Sequence, residues 1–93
     1  MVVLILEKVT PALRGELTRW LIQPHTGVFV GHVSARVRDL IWKRVEKSLR
    51  DGAGIMIHPS DSEQGFEIRT LGPTKKIIED FDGLKLAKTR FLK

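Results

Sequence analysis

Val2 to Leu6 is an unbroken apolar run with β-branched members that stops at the charged pair Glu7-Lys8. A run this short and this apolar predicts a central strand covered on both faces. Thr10 followed by Pro11 supplies a helix cap and a first-turn proline. Leu13, Leu17, Trp20 and Leu21 then recur at helical spacing until Gln23-Pro24, which predicts one amphipathic helix ending there. His25-Thr26-Gly27 reads as a turn and Val28 to Val30 as a second strand ending at Gly31. Ser34 is placed to cap a second helix whose buried stripe is Val37, Leu40, Ile41, Val45 and Leu49, with Asp51-Gly52 as its stop. Ile55 to Ile57 forms a third apolar strand. From Phe66 to Leu71 the pattern alternates, with Phe66, Ile68 and Thr70 on one face and Glu67, Arg69 and Leu71 on the other, as in a half-exposed strand. After Gly72-Pro73 and Lys75-Lys76, the turn Asp82-Gly83 leads into a last short strand, Leu84 to Leu86, and a basic tail.

Strands alternating with two helices, followed by a run of strands, predict an α+β ferredoxin-like sandwich. Two helices pack on one face of an antiparallel sheet, with an additional C-terminal strand. That plan needs two strands between the helices, yet only His25 to Val33 are left for them, so one must be very short. At 93 residues the chain reads as a single domain over 1–93. The core is small enough that a partner would add stability.

Composition narrows the classes without choosing among them. A hydrophobic share of 42% and a charged share of 29% are those of a globular protein, and zero cysteines exclude disulfides and thiolate metal sites. The longest apolar run is far short of the roughly 18 residues of a membrane span, and the opening lacks the basic flank of a signal peptide. A soluble, cytoplasmic protein is expected. The net charge of +5 favours an acidic partner, nucleic acid among them.

Placement says more than total charge. Arg36 and Arg38 fall in the first turn of the second helix, where exposed amides and the macrodipole already attract anions. Each cation there costs about 0.3 to 1 kcal/mol, which points to an anion docking at that helix end. Arg14, near the start of the first helix, follows the same logic more weakly. The competing reading pairs Arg36 with Asp39 and leaves Lys43, Lys47 and Arg50 as a solvated helix face. The loop pair Lys75-Lys76 suits a duplex backbone as well as it suits solvent.

The sequence is poor in chemistry. His25, His32 and His58 show no metal-ligand spacing, and no glycine-rich phosphate loop or nucleophile elbow exists. Glu7, at the carboxyl end of the first strand, is the one suggestive carboxylate, and it stands alone where metal-assisted phosphodiester hydrolysis normally takes several oxygen ligands. Paired with Lys8 or an arginine it would be an ordinary strand-end charge. Trp20 continues the buried stripe, whereas Trp42 reads as the mark of a protein contact.

Taken together, Glu7 to Gly15 (EKVTPALRG), Gly27 to Arg38 (GVFVGHVSARVR), Gly65 to Leu71 (GFEIRTL) and Asp82-Gly83-Leu84 resemble the second universal CRISPR-associated protein, Cas-two, in its subtype I-E branch. The likeness covers nearly the whole chain. It implies a ferredoxin-like homodimer, without catalysis or cofactor of its own, that holds protospacer duplex DNA and bridges dimers of the integrase Cas-one during spacer integration. The family's DNA-contacting positions fall on Arg14, Arg36, Arg38, Lys75 and Lys76, the last two replacing an expected arginine pair. Docking on Cas-one is implied for the strand and tail over 84–93, through Leu84, Leu86 and Phe91. Other branches resemble metal-dependent endonucleases with an aspartate at the end of the first strand, a position that is Glu7 here. The alternative is therefore a nuclease using Glu7 and Mg2+ or Mn2+ at the dimer interface.

Overall fold

The computed structural model describes residues 1–49 and 51–74. Seven elements follow one another: β1 (Val2–Leu6), α1 (Pro11–Leu17), β2 (Ile22–His25), β3 (Val28–Gly31), α2 (Ala35–Ser48), β4 (Gly54–Pro59) and β5 (Phe66–Leu71). The strands form one sheet in the order β2-β3-β1-β4-β5, and every pairing in it is antiparallel. This is the ferredoxin-like arrangement with β5 added beside β4. The expected strand at Leu84 to Leu86 lies outside the described residues.

β1 is central because both its faces are apolar. Leu4 and Leu6 enter the larger core with Leu13, Leu17, Phe29, Ile41, Val45 and Met56, on the face the helices cover. Ile5 points the other way and clusters with Ala53 and Ile55, with Val3 and Ile57 packed against them. The alternation along the strand thus feeds two cores, the smaller one on the helix-free face.

Both helix starts form as the sequence predicts. Thr10 Oγ1 accepts from the Leu13 amide at 3.2 Å, and Ser34 Oγ accepts from the Val37 amide at the same distance. The end of the first helix differs from expectation. α1 stops at Leu17, and the Arg19, Trp20 and Leu21 amides bond back to the carbonyls of Glu16 and Leu17 in a closing turn. Leu21 still reaches the core, so the apolar spacing persists past the helix. The missing second inter-helix strand is Ile22–His25, in the segment read as the end of a helix and the start of a turn. Pro24 is tolerated there because β2 is an edge strand, where a ladder donor can be spared. Thr26-Gly27 closes the hairpin to β3, and Gly27 takes φ +78 against the Leu6 carbonyl, a site without room for a Cβ.

α2 is rotated from the expected stripe. Ile41, Trp42, Val45 and Leu49 face the core, while Leu40 is 43% exposed. At about 100° per residue, Leu40 lies a full step outside the arc centred on Val45. Trp42, only 8% exposed, is a core residue and not the mark of a contact. Gly52 follows the helix without a positive φ. Its value is space, because a Cβ there would strike the Glu7 carbonyl.

Candidate nucleic-acid interface

The two arginine-bearing helix starts lie at opposite ends of the sheet. Leu6, at the end of β1 that leads to α1, donates its amide to the Gly27 carbonyl at 2.8 Å. Val2, at the other end, pairs with Gly31, which leads to α2. Arg14 therefore belongs to one edge and Arg36 and Arg38 to the other. Within one chain they do not converge.

At the first edge an open cleft of about 920 Å3 is lined by Glu7, Lys8, Arg14, Gln23, His25 and neighbouring backbone. The strand end beneath it is fixed from both sides, since the Glu7 amide donates to Ala53 O at 2.9 Å. Lys8 then turns the chain at φ 59, a conformation that costs a side-chain-bearing residue about 1 to 2 kcal/mol. Arg14 is exposed, as is Lys8. Because α1 has only seven residues, Arg14 sits in its last turn, where a cation is favoured by the helix dipole. The expectation of unfavourable placement near the helix start does not apply to it.

Glu7 makes no ion pair with Lys8 or an arginine among the described residues, and its Oε1 is buried without a hydrogen-bond partner. The other ionisable groups lining the cleft are Lys8, Arg14 and His25. Within one chain, one carboxylate beside two cations does not fit Mg2+ or Mn2+, which take about six ligands, mostly oxygens. No cluster of three ligating side chains occurs among the described residues.

At the second edge the two arginines behave differently. Arg38 is 19% exposed at its side chain and its Nε donates to Asp39 Oδ1 at 3.2 Å. Arg69 on β5 donates to the same oxygen at 2.8 Å. Asp39 thus ties α2 to β5, and its carboxyl is held below the usual range by the hydrogen bond from Arg69, against some desolvation, and then by Arg38. Arg38 is part of this clamp through its Nε. Arg36, at the second position of the helix, is exposed and pairs with no carboxylate among the described residues, so the pairing with Asp39 considered for it belongs to its neighbour.

Two features of this edge were not legible beforehand. The Asp39–Arg69 contact spans thirty positions of sequence, and only β5 lying beside β4 brings it about. His58, which the sequence marks only by the lack of a metal-ligand spacing, is 2% exposed within β4. Its Nδ1–H donates to Pro59 O at 2.9 Å, and Nε2 faces Glu67 at 3.6 Å without a hydrogen bond. Lys75, Lys76, Leu84, Leu86 and Phe91 lie outside the described residues.

No helix among the described residues is long and apolar enough to cross a membrane. The sequence profile of the family described as CRISPR-associated protein (Cas_Cas2CT1978) matches residues 1–86, and the chain belongs to that family.

Proposed function

We propose that this CRISPR-associated protein is a non-catalytic scaffold of the subtype I-E kind. It holds protospacer duplex DNA by its phosphates and bridges dimers of the integrase Cas-one during spacer integration. The observation that carries this reading is Arg36, an exposed guanidinium without a carboxylate partner among the described residues, in the first turn of a capped fourteen-residue helix. A phosphate at that position would meet the guanidinium and the free helix amides together. Arg14 supplies a second cation at the other edge, and Lys75-Lys76 add charge by family likeness.

A homodimer brings copies of the two edges within reach of one duplex. The helix-free sheet face supports it. Ile22, 70% exposed, and Ile68, 45% exposed, border the smaller apolar cluster on that face, and a second copy would cover them. Ile68→Glu should turn a dimer into a monomer in light scattering.

The deciding experiment measures duplex binding and spacer integration side by side. Arg36→Glu and Arg14→Glu should each weaken DNA binding and lower the slope of log K against log salt by at least about 0.9. Glu7→Ala should leave integration with Cas-one intact, and its loss would sink the scaffold reading. A second reading, a metal-dependent nuclease, is favoured by the orphaned Glu7 Oε1, which a second Glu7 and a shared Mg2+ or Mn2+ would satisfy. It requires divalent-dependent cleavage by the pure protein that vanishes in Glu7→Ala.

A further inference from the structure

The solvent-facing side of α2 separates into a crest and two flanks. Arg36, Lys43 and Lys47 fall within about 40° of one another around the helix, directly away from Val45 at the centre of the buried arc. All three are exposed. On the flank toward β5, Asp39 is held by Arg38 and Arg69. On the flank toward α1, Arg44 reaches Glu16 at 3.7 Å. The remaining carboxylate of α2, Glu46, lies roughly a quarter-turn from the crest and makes no ion pair among the described residues. Arg38, sharing Asp39 with Arg69, and Arg44, beside Glu16, thus each have a carboxylate partner, while the crest cations find none among the described residues.

We propose that this crest, Arg36, Lys43 and Lys47, is a continuous phosphate track that carries the backbone of duplex DNA along the axis of α2. The proposal extends the duplex-binding reading above and rests on it. From Arg36 to Lys47 the helix rises about 16 Å, the length of roughly five base pairs of duplex. Three point contacts over that distance hold a backbone without reading its sequence. The chemistry favours a duplex over other polyanions. A single strand would call for exposed aromatic platforms along the crest, whereas Trp42 is buried, Trp20 packs against the core and the exposed Phe66 lies on the helix-free sheet face. A membrane-surface helix would need a broad apolar face, and the crest offers Leu40 alone.

The test is anisotropy titration of a labelled random-sequence duplex with the full chain, at salt concentrations between about 50 and 200 mM. Lys43→Gln/Lys47→Gln should lower the salt slope by about 1.8 and weaken binding on the order of 10- to 100-fold. Each single variant should lower the slope by about 0.9, which keeps the test available if the double variant does not fold. Arg44→Gln, on the paired flank, should change affinity by less than about threefold. An unchanged slope in both single lysine variants, with a lowered slope in Arg36→Gln, overturns the track and leaves the duplex reading standing. No duplex binding by the parent protein overturns both. If the lysine variants lose affinity for polyglutamate but not for the duplex, the crest serves an acidic protein instead and the proposal fails.

Discussion

α1 and α2 begin alike and end up electrostatically opposite. Each opens on a hydroxyl cap and carries an arginine within four residues of it, Arg14 after Thr10 and Arg36 after Ser34. In α1, seven residues long, that arginine is already in the last turn. In α2, fourteen residues long, it is in the first. The same residue type is therefore stabilised by one helix dipole and opposed by the other. A cation kept where it costs stability says more about a ligand than one kept where it helps.

The difference in length also decides how each arginine is held. α1 is anchored by two buried side chains, Leu13 and Leu17, and α2 by Ile41, Trp42 and Val45. Leu17→Ala should therefore have the largest effect, a loss of about 2 to 5 kcal/mol in denaturant unfolding, with α1 amides losing hydrogen-exchange protection before those of α2. Simultaneous loss of protection in both helices would show that they open as one unit. Removal of the caps comes next. Thr10→Ala and Ser34→Ala should each cost about 1 kcal/mol, and equal costs would mean that cap strength does not depend on helix length.

Charge reversal gives the sharpest contrast at a smaller magnitude. Arg36→Glu should raise stability by about 0.3 to 1 kcal/mol while weakening duplex binding. Arg14→Glu should lower stability and binding together. Shifts of the same sign in the two thermal midpoints would remove the dipole argument from Arg36. The Asp39 clamp beside that helix start has the smallest effect, and pH exposes it. Its folded-state value lies below the ordinary 3.8, so its stabilisation is fully present above that pH and is lost as the pH falls through the lower folded value. Acid titration of Asp39→Asn against the parent should show a shallower fall below pH 3.8. Identical profiles would show that Asp39 carries no folded-state preference for its charged form.

Much of the fold was legible because it is written locally. β1 announced itself by five consecutive apolar residues, and Thr10-Pro11 and Ser34 placed both helix starts. β2 was hidden because Trp20 and Leu21 continue a helical spacing, and because Pro24 reads as a breaker until its strand is known to be an edge. Trp42 and Leu40 exchanged roles because a stripe drawn from hydrophobicity alone does not fix the helix rotation. Packing against the sheet fixes it. Within the candidate interface, Arg36 is marked by its place in the helix, whereas the joining of Arg38, Asp39 and Arg69 needed β5.

Local sequence set the start of β1, both helix starts, the lone carboxylate Glu7 and the arginine in the first turn of α2, since each depends on neighbours within a few positions. Tertiary structure alone decided which cations are spent. Asp39 meets Arg69, and Glu16 meets Arg44, only because strands and helices distant in the chain lie side by side. The short reach of ion pairs makes that allocation a property of the fold, and the crest cations are what it leaves over.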